Sequence, residues 1–254
     1  MNEEIEKAFE DASAIILGTK LSGMNRYAEW LERHVKGRIE RKKSRISDNT
    51  VYVPSVDFYR QLGDNIVTSD ESLVLGERKI SDAGLERLTL ANASGVLESI
   101  KTTTPEIIYG RNIGTTESSC YGPTQYCHAV RFTWFCKYIA HSFWARNSEY
   151  LFGCSNVAGD SSFCIKCYSS TKLTRCFEVN DSNDCSDCYF CHNCEGLRDC
   201  MFCFNTKGKR YTIGNVEVGK DKYLEIKKLV QKEIAEELLK TGNCTYDIYT
   251  IGAV

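Results

Sequence analysis

Several features are scarce in this 254-residue chain, and each scarcity removes a class of protein. No apolar run approaches the roughly 18–20 residues that a membrane-spanning helix needs. The formal net charge of −2 gives no whole-chain pull toward nucleic acid or membrane. The N-terminus, MNEEIEKAFEDASAIILG, opens on acids and lacks a basic stretch followed by an apolar run and a cleavage site. The expectation is therefore cytoplasmic synthesis without a signal peptide, in a reducing setting where disulfides are rare. No P-loop, G-x-G-x-x-G or G-x-S-x-G occurs, and only four histidines are present. No cysteine precedes Cys120 and only Cys244 follows Cys203, so the 14 cysteines crowd into one segment.

That segment has a period. Residues 162–206 divide into triplets SFC, IKC, YSS, TKL, TRC, FEV, NDS, NDC, SDC, YFC, HNC, EGL, RDC, MFC and FNT, whose third residue is always small or apolar and never charged. Cys127, Val130, Thr133, Cys136, Ile139, Ser142, Ala145, Ser148, Leu151, Cys154 and Val157 form a second ladder of the same kind, offset by one residue, which places an insertion within 158–163. A nine-residue beat also runs through Cys167, Cys176, Cys185, Cys194 and Cys203. On a helix or a strand, nine residues would alternate the face, and the ladder has no proline for a polyproline helix. A chain that bends at short, regular intervals and sends every third side chain inward is a β-solenoid, parallel β-helix-like, with like residues stacked from coil to coil. Two nine-residue beats per coil is the expected coil length. Asp184, Asp187, Asn193 and Asp199, each preceding a ladder residue, suit the bends.

The chain divides on this reading into an N-terminal helical docking or assembly region (1–50), a mixed α/β connector (51–110), the cysteine-ladder solenoid (111–211), and a closing strand, capping helix and tail (212–254). Residues 2–17 and 25–45 read as helices, TVYVP and NIVTSDESLVLG as strand-like runs, and Ser81 as the N-cap of a helix through about Leu97. Arg210–Val218 reads as one closing strand. In Asp221–Lys240, Tyr223, Ile226, Val230, Ile234 and Leu238 share a helical face, and Gly242 suits its C-terminus. That helix is expected over the last coil.

Four motifs compete with a purely structural reading. Cys164/Cys167 and Cys185/Cys188 fit a C-x2-C…C-x2-C zinc template, but triplet periodicity generates C-x-x-C by itself. Cys185, Cys188, Cys191 and Cys194 could hold an iron–sulfur cluster, although the ferredoxin pattern widens the last gap and adds a proline. Cys200 and Cys203 extend the candidate metal set. Cys188, Cys191 and His192 match the haem-attachment motif, which needs an export route. Against all of these, free cysteine packs as a small hydrophobe, and its size suits a narrow coil. Separately, Arg33, Lys36, Arg38, Arg41, Lys42, Lys43 and Arg45 form a basic run that a nucleic acid or an acidic partner surface could contact.

The stretch NDCSDCYFCHNCEGLRDCMFCFNTKGKRYTIGNVEVGKDKYLEIKK resembles uncharacterised cysteine-rich triplet-repeat proteins from metagenome-derived microbial and viral genomes, over about Ser148–Leu239. The resemblance implies a structural solenoid encoded by a virus or provirus, and carries over no catalytic residue. The resulting expectation is a non-enzymatic assembly protein without cofactor, self-associating in a virion or other large assembly. The alternative is a zinc or iron–sulfur redox or regulatory module on the 185–203 cysteines.

Overall fold

The computed structural model describes residues 2–157 and 159–251. The chain forms two compact units, one of Gly37–Ile108 and one of everything up to Lys36 together with everything from Tyr109 onward. In the larger unit, α1 (Glu3–Leu17) begins at Asn2, whose side chain accepts from the Glu4 amide at 2.8 Å, and stops at Gly18 in the left-handed region. Ile5, Phe9, Ala12 and Ile16, at helical spacing, are buried. The helix expected over 25–45 does not form. A 3₁₀ turn (Met24–Tyr27) leads into the short α2 (Ala28–Glu32), which ends at Arg33, and Gly37 with φ +67° turns the chain into the next strand.

In the smaller unit, β1 (Ile39–Lys43) pairs antiparallel with β2 (Thr50–Pro54), so TVYVP is a strand as expected and Arg41, Lys42 and Lys43 of the basic run lie in its partner. Four short helices follow: α3 (Asp57–Arg60), α4 (Ser69–Leu75), α5 (Asp82–Glu86) and α6 (Ala93–Val96). The run NIVTSDESLVLG is thus mostly helix, not strand. Thr68 and Glu71 close a capping box at its start, a local signal stronger than the β-branched residues around it. Ser81 does cap α5, its side chain accepting from Gly84 N, but the helix lasts only five residues.

From Tyr109 onward the chain winds into a β-solenoid of about eight turns. Its strands are β3 (Tyr121–Gln125), β4 (Thr133–Ala140), β5 (Ala145–Arg146), β6 (Glu149–Phe152), β7 (Ser162–Ile165), β8 (Thr171–Asn180), β9 (Asn183–His192), β10 (Arg198–Met201), β11 (Arg210–Ile213) and β12 (Val216–Glu217). All pair in parallel except β11 with β12. Tyr121 pairs with Thr133, Ser162 with Thr174 and Arg198 with Arg210, a step of 12 residues. One coil is therefore four triplets, not two nines. The step becomes 13 where Glu149 meets Ser162, whereas Ala145 still meets Val157 at 12. The extra residue thus lies inside the span anticipated for the insertion. Ala158, within that span, is outside the described residues.

The nine-residue beat has a different cause. The sulfur of residue i lies against the carbonyl of residue i+9 on the next coil: Cys176 Sγ to Cys185 O at 3.5 Å, Cys194 Sγ to Cys203 O at 3.4 Å. The beat is a diagonal between neighbouring columns, one triplet short of a full turn.

The bends fall at the middle of each triplet. Phe190, Asn193 and Asp199 have φ of 51, 53 and 51°, and the same left-handed conformation recurs at nearly every middle residue from Tyr126 to Tyr211. An L-residue there costs roughly 1–2 kcal/mol, and the coil-to-coil hydrogen bonds offset it. Aspartate, asparagine and glycine take many corners because they tolerate the left-handed region best. Asn193→Val should accordingly lower stability by roughly 1–2 kcal/mol while Asn193→Gly changes it by less than about 1, as read from urea midpoints. Equal losses for the two would show that the corner geometry is not what matters there.

The third residues fill the interior, fully or almost fully buried from Cys127 to Cys203. Inward serines are satisfied within the ladder: Ser182 Oγ donates to Asn180 O at 2.8 Å and accepts from Cys194 N at 3.1 Å. The first residues of one triplet per coil make a second, outward core. Ala140, Phe152, Ile165, Phe177, Tyr189 and Met201 stand in register and are buried against α1 and the C-terminal helix α7 (Lys220–Thr241). Phe9 meets Phe152 edge-on at 5.2 Å, and Tyr189 Oη donates to Ile16 O at 2.6 Å. Burying each large side chain of this wall contributes roughly 1.5–3 kcal/mol. The expected face of α7 is the one used, with Tyr223, Ile234 and Leu238 buried and Gly242 left-handed at its end. The helix shields the last coils from their flank, where Tyr223 Oη donates to Asp187 O at 3.0 Å. The coil edge is ended by other means. The closing segment is a hairpin, with β12 folding back on β11, and the Asn215 amide pairs with both Phe204 N and Phe204 O at 3.0 and 2.8 Å, which occupies backbone groups that would otherwise template another strand.

Candidate functional site

The candidate metal cysteines all point into the solenoid. Cys164, Cys176, Cys188 and Cys200 stand in one column through the pairings of β7–β8, of β8–β9 and of β9–β10, while Cys191 sits in the next column over Val179 and Cys185 over Leu173. Cys164 and Cys188 of the zinc template are therefore two coils apart, about 9–10 Å at the usual strand spacing. Sulfurs that share one zinc at ~2.3 Å each stand only about 4 Å from one another. The template's two pairs are thus not brought together. Cys185, Cys188, Cys191 and Cys194 do supply four consecutive inward positions of one coil, but each sulfur turns to the carbonyl two residues back, at 3.4, 3.2, 3.5 and 3.3 Å. Among the described residues, no group of three or more cysteine, histidine or acidic side chains is placed to hold a metal.

All 14 thiols are free and buried. Burial pushes the Cys127 and Cys136 thiols up to about 12 and holds Cys164, Cys167 and Cys191 well above the usual range. Neighbouring thiols reverse the direction at two positions: Cys185 is lowered by Cys188, and Cys203 by Cys191 and Cys200. The haem pattern is split, with Cys188 and Cys191 sealed inside while His192 faces out, 3.2 Å from Asn180 Nδ2.

The basic run is divided between the two units. Arg33 and Lys36 belong to the solenoid unit, and Arg38, Arg41, Lys42, Lys43 and Arg45 to the other. Arg33 Nη1 donates to Cys244 O at 3.0 Å, and Lys36 Nζ lies 5.9 Å from the Phe143 ring centre. Lys43 pairs with Asp48, and Arg45 donates to Asn65 Oδ1 at 2.8 Å.

Sequence reasoning missed a buried ion pair. Lys166 and Glu178, both with fully buried side chains, hold the same corner on successive coils with Nζ and Oε1 3.2 Å apart. Lys166 Nζ also donates to Trp30 O at 3.1 Å and lies 5.3 Å from the Trp30 ring centre. Burial raises the Glu178 carboxyl to about 7, against the pull of Lys166 and the Ile248 amide. The available signal was the 12-residue spacing of opposite charges, which repeats in Arg175–Asp187 (2.6 Å) and Glu195–Lys207 (2.6 Å).

The fold and its interior define a triplet-repeat β-solenoid with a thiol-filled core. No family model, curated protein or solved structure matches the chain. Among the described residues no helix is long and apolar enough to cross a membrane.

Proposed function

We propose that this protein is a non-enzymatic architectural component, a stiff β-solenoid block that self-associates within a larger assembly such as a virion. The observation that carries this reading is the division of the solenoid's surfaces. The interior is filled by its own third residues and one wall is covered by α1 and α7, while corners such as Asp181, Asn193 and Asn205 leave a polar ladder exposed, with Asn193 Nδ2 donating to Asn205 Oδ1 at 2.7 Å. A rigid, regularly spaced surface suits contacts with neighbours in an array. The resemblance to triplet-repeat proteins of viral and microbial genomes points the same way.

Sedimentation velocity across a wide concentration range tests it. Discrete oligomers or ordered particles that grow with concentration are expected, and a monomer throughout, with substrate turnover in an activity screen, would contradict the reading. One observation favours the rival metal module: four cysteines in the inward positions of a single coil. Cobalt substitution reports on it, because tetrahedral thiolate coordination gives intense visible absorption that packed thiols do not.

A further inference from the structure

The C-terminal arm that follows α7 is held in a seat of its own. Gly242, with φ +74°, turns the chain out of the helix, and residues 243–251 then run back over the solenoid corner that carries Lys166 and Glu178. Three arm residues are buried: Cys244, Asp247 and Ile248. Their anchors are specific. Asp247 Oδ2 is 2.7 Å from His34 Nε2 and 3.6 Å from Arg33 Nη1, and Arg33 Nη1 also donates to Cys244 O at 3.0 Å. The Ile248 amide donates to Glu178 Oε2 at 3.1 Å, and the Tyr249 ring packs 4.9 Å from His34 and 6.0 Å from Tyr168.

Asp247 is thus held by its carboxylate, Ile248 by its amide and its burial, and Tyr249 by its ring. The clamp is largely polar and half-exposed on the Arg33 and His34 side, where side-chain exposure is 29% and 28%. Its apolar hold is small beside the α1 and α7 wall, so the arm can leave at far less cost than either helix. A single left-handed glycine is the hinge, and an arm joined by a short hinge to a seat of this kind exchanges between identical copies at little cost, because the contacts in trans repeat those in cis.

We propose that this seat is an exchangeable docking site, and that the 243–251 arm of a second copy occupies it in trans. The proposal rests on the assembly reading and names the contact that links two copies. Seat and arm are separable in full-length chains. Asp247→Ala leaves the seat intact and removes the arm's anchor, while Arg33→Ala with His34→Ala leaves the arm intact and removes the clamp.

Each variant alone is expected to lack arm-mediated dimers, and an equimolar mixture should form a one-to-one heterodimer by sedimentation, at least about tenfold tighter than either variant with itself. A mixture that sediments as the plain average of its parts, with both variants showing the wild-type circular dichroism, would overturn the proposal. Association through the solenoid walls would appear in each variant alone, so failure of the assembly reading and failure of arm exchange give different results. Hydrogen exchange on the wild-type protein provides a second check that needs no variant. The Ile248 amide should exchange well before the Cys188 amide. Equal protection of the two would make the arm a fixed part of the fold and overturn exchange.

Discussion

Cys188→Asp should abolish the native fold, whereas Cys188→Ala should leave it intact and weakened by about 1–2 kcal/mol. Cys188 is fully buried, with Cys176 and Cys200 on the coils either side of it in the same column. A carboxyl there has no partner and must be buried protonated, which near neutral pH costs about 4 kcal/mol for the proton and a few more for the unpaired polar group, enough to consume the stability of a typical domain. Alanine loses only a sulfur's contacts. Cys188→Leu is the informative third variant, because overpacking a filled interior costs about 1–3 kcal/mol even though leucine is more apolar. Leucine does occur inside: Leu151 stands in the Cys188 column itself, between Ile139 and Cys164 at the other end of the ladder, while Leu173 and Leu197 flank Cys185 in the next column, so the cost of leucine at 188 depends on the neighbouring rungs having no room to yield. Urea unfolding followed by far-ultraviolet circular dichroism measures all three. If Cys188→Leu matches or exceeds the wild type, the interior is not limited by size and thiol packing is not why cysteine stands there.

Lys166→Met should be destabilising, and more so at pH 8 than at pH 5, because Glu178 with a pKa of about 7 is already partly protonated at neutral pH and needs its cation fully only when ionised. Methionine fills a similar volume but leaves Glu178 without its cation and strips the contact with Trp30 O. Protonating Glu178 relieves the loss, so the variant should recover part of its stability in mild acid.

The wild type has its own pH slope at this site. A carboxyl held at about 7 when folded, against an ordinary 4.5, binds its proton more tightly in the folded state. Its contribution is full below about 4.5 and is lost as pH rises through about 7, a change of roughly 3 kcal/mol. Glu178→Gln should remove that dependence. Thermal unfolding at pH 5 and pH 8 for the three proteins decides it, and an unchanged pH slope in Glu178→Gln would remove Glu178 as the source.

The triplet ladder was legible because every third side chain is forced inward, whatever the coil length, and residues such as Cys164, Leu173, Cys185 and Val179 all obey one size and polarity rule. The coil length was not read from the cysteines, since a column and its diagonal neighbour both repeat in multiples of three. The outer wall carried that information. Phe177, Tyr189, Met201 and Ile213 recur at 12, as do the pairs Arg175–Asp187 and Thr171–Asn183, but none shows until outward positions are compared separately from inward ones. The helix expected over 25–45 failed for a different reason. Its charges suit a helix, yet Gly37 and the β2 partner strand decide the outcome, and that pairing is not local. The arm seat was beyond reach altogether, because Arg33, His34, Glu178 and Asp247 come from three distant stretches and no local pattern joins them. The zinc template was the converse case: its spacing is in the sequence, but the coils set Cys164 and Cys188 two rungs apart in one column.

The most direct test of the thiol-packed solenoid is a thiol count in native buffer and in denaturant, with metal analysis on protein purified without a metal column. The account predicts almost no reactive thiol in the native protein, all 14 after unfolding, and no stoichiometric metal. Bound zinc or iron at one or more per chain, with thiols that stay masked in denaturant until a chelator is added, would contradict it.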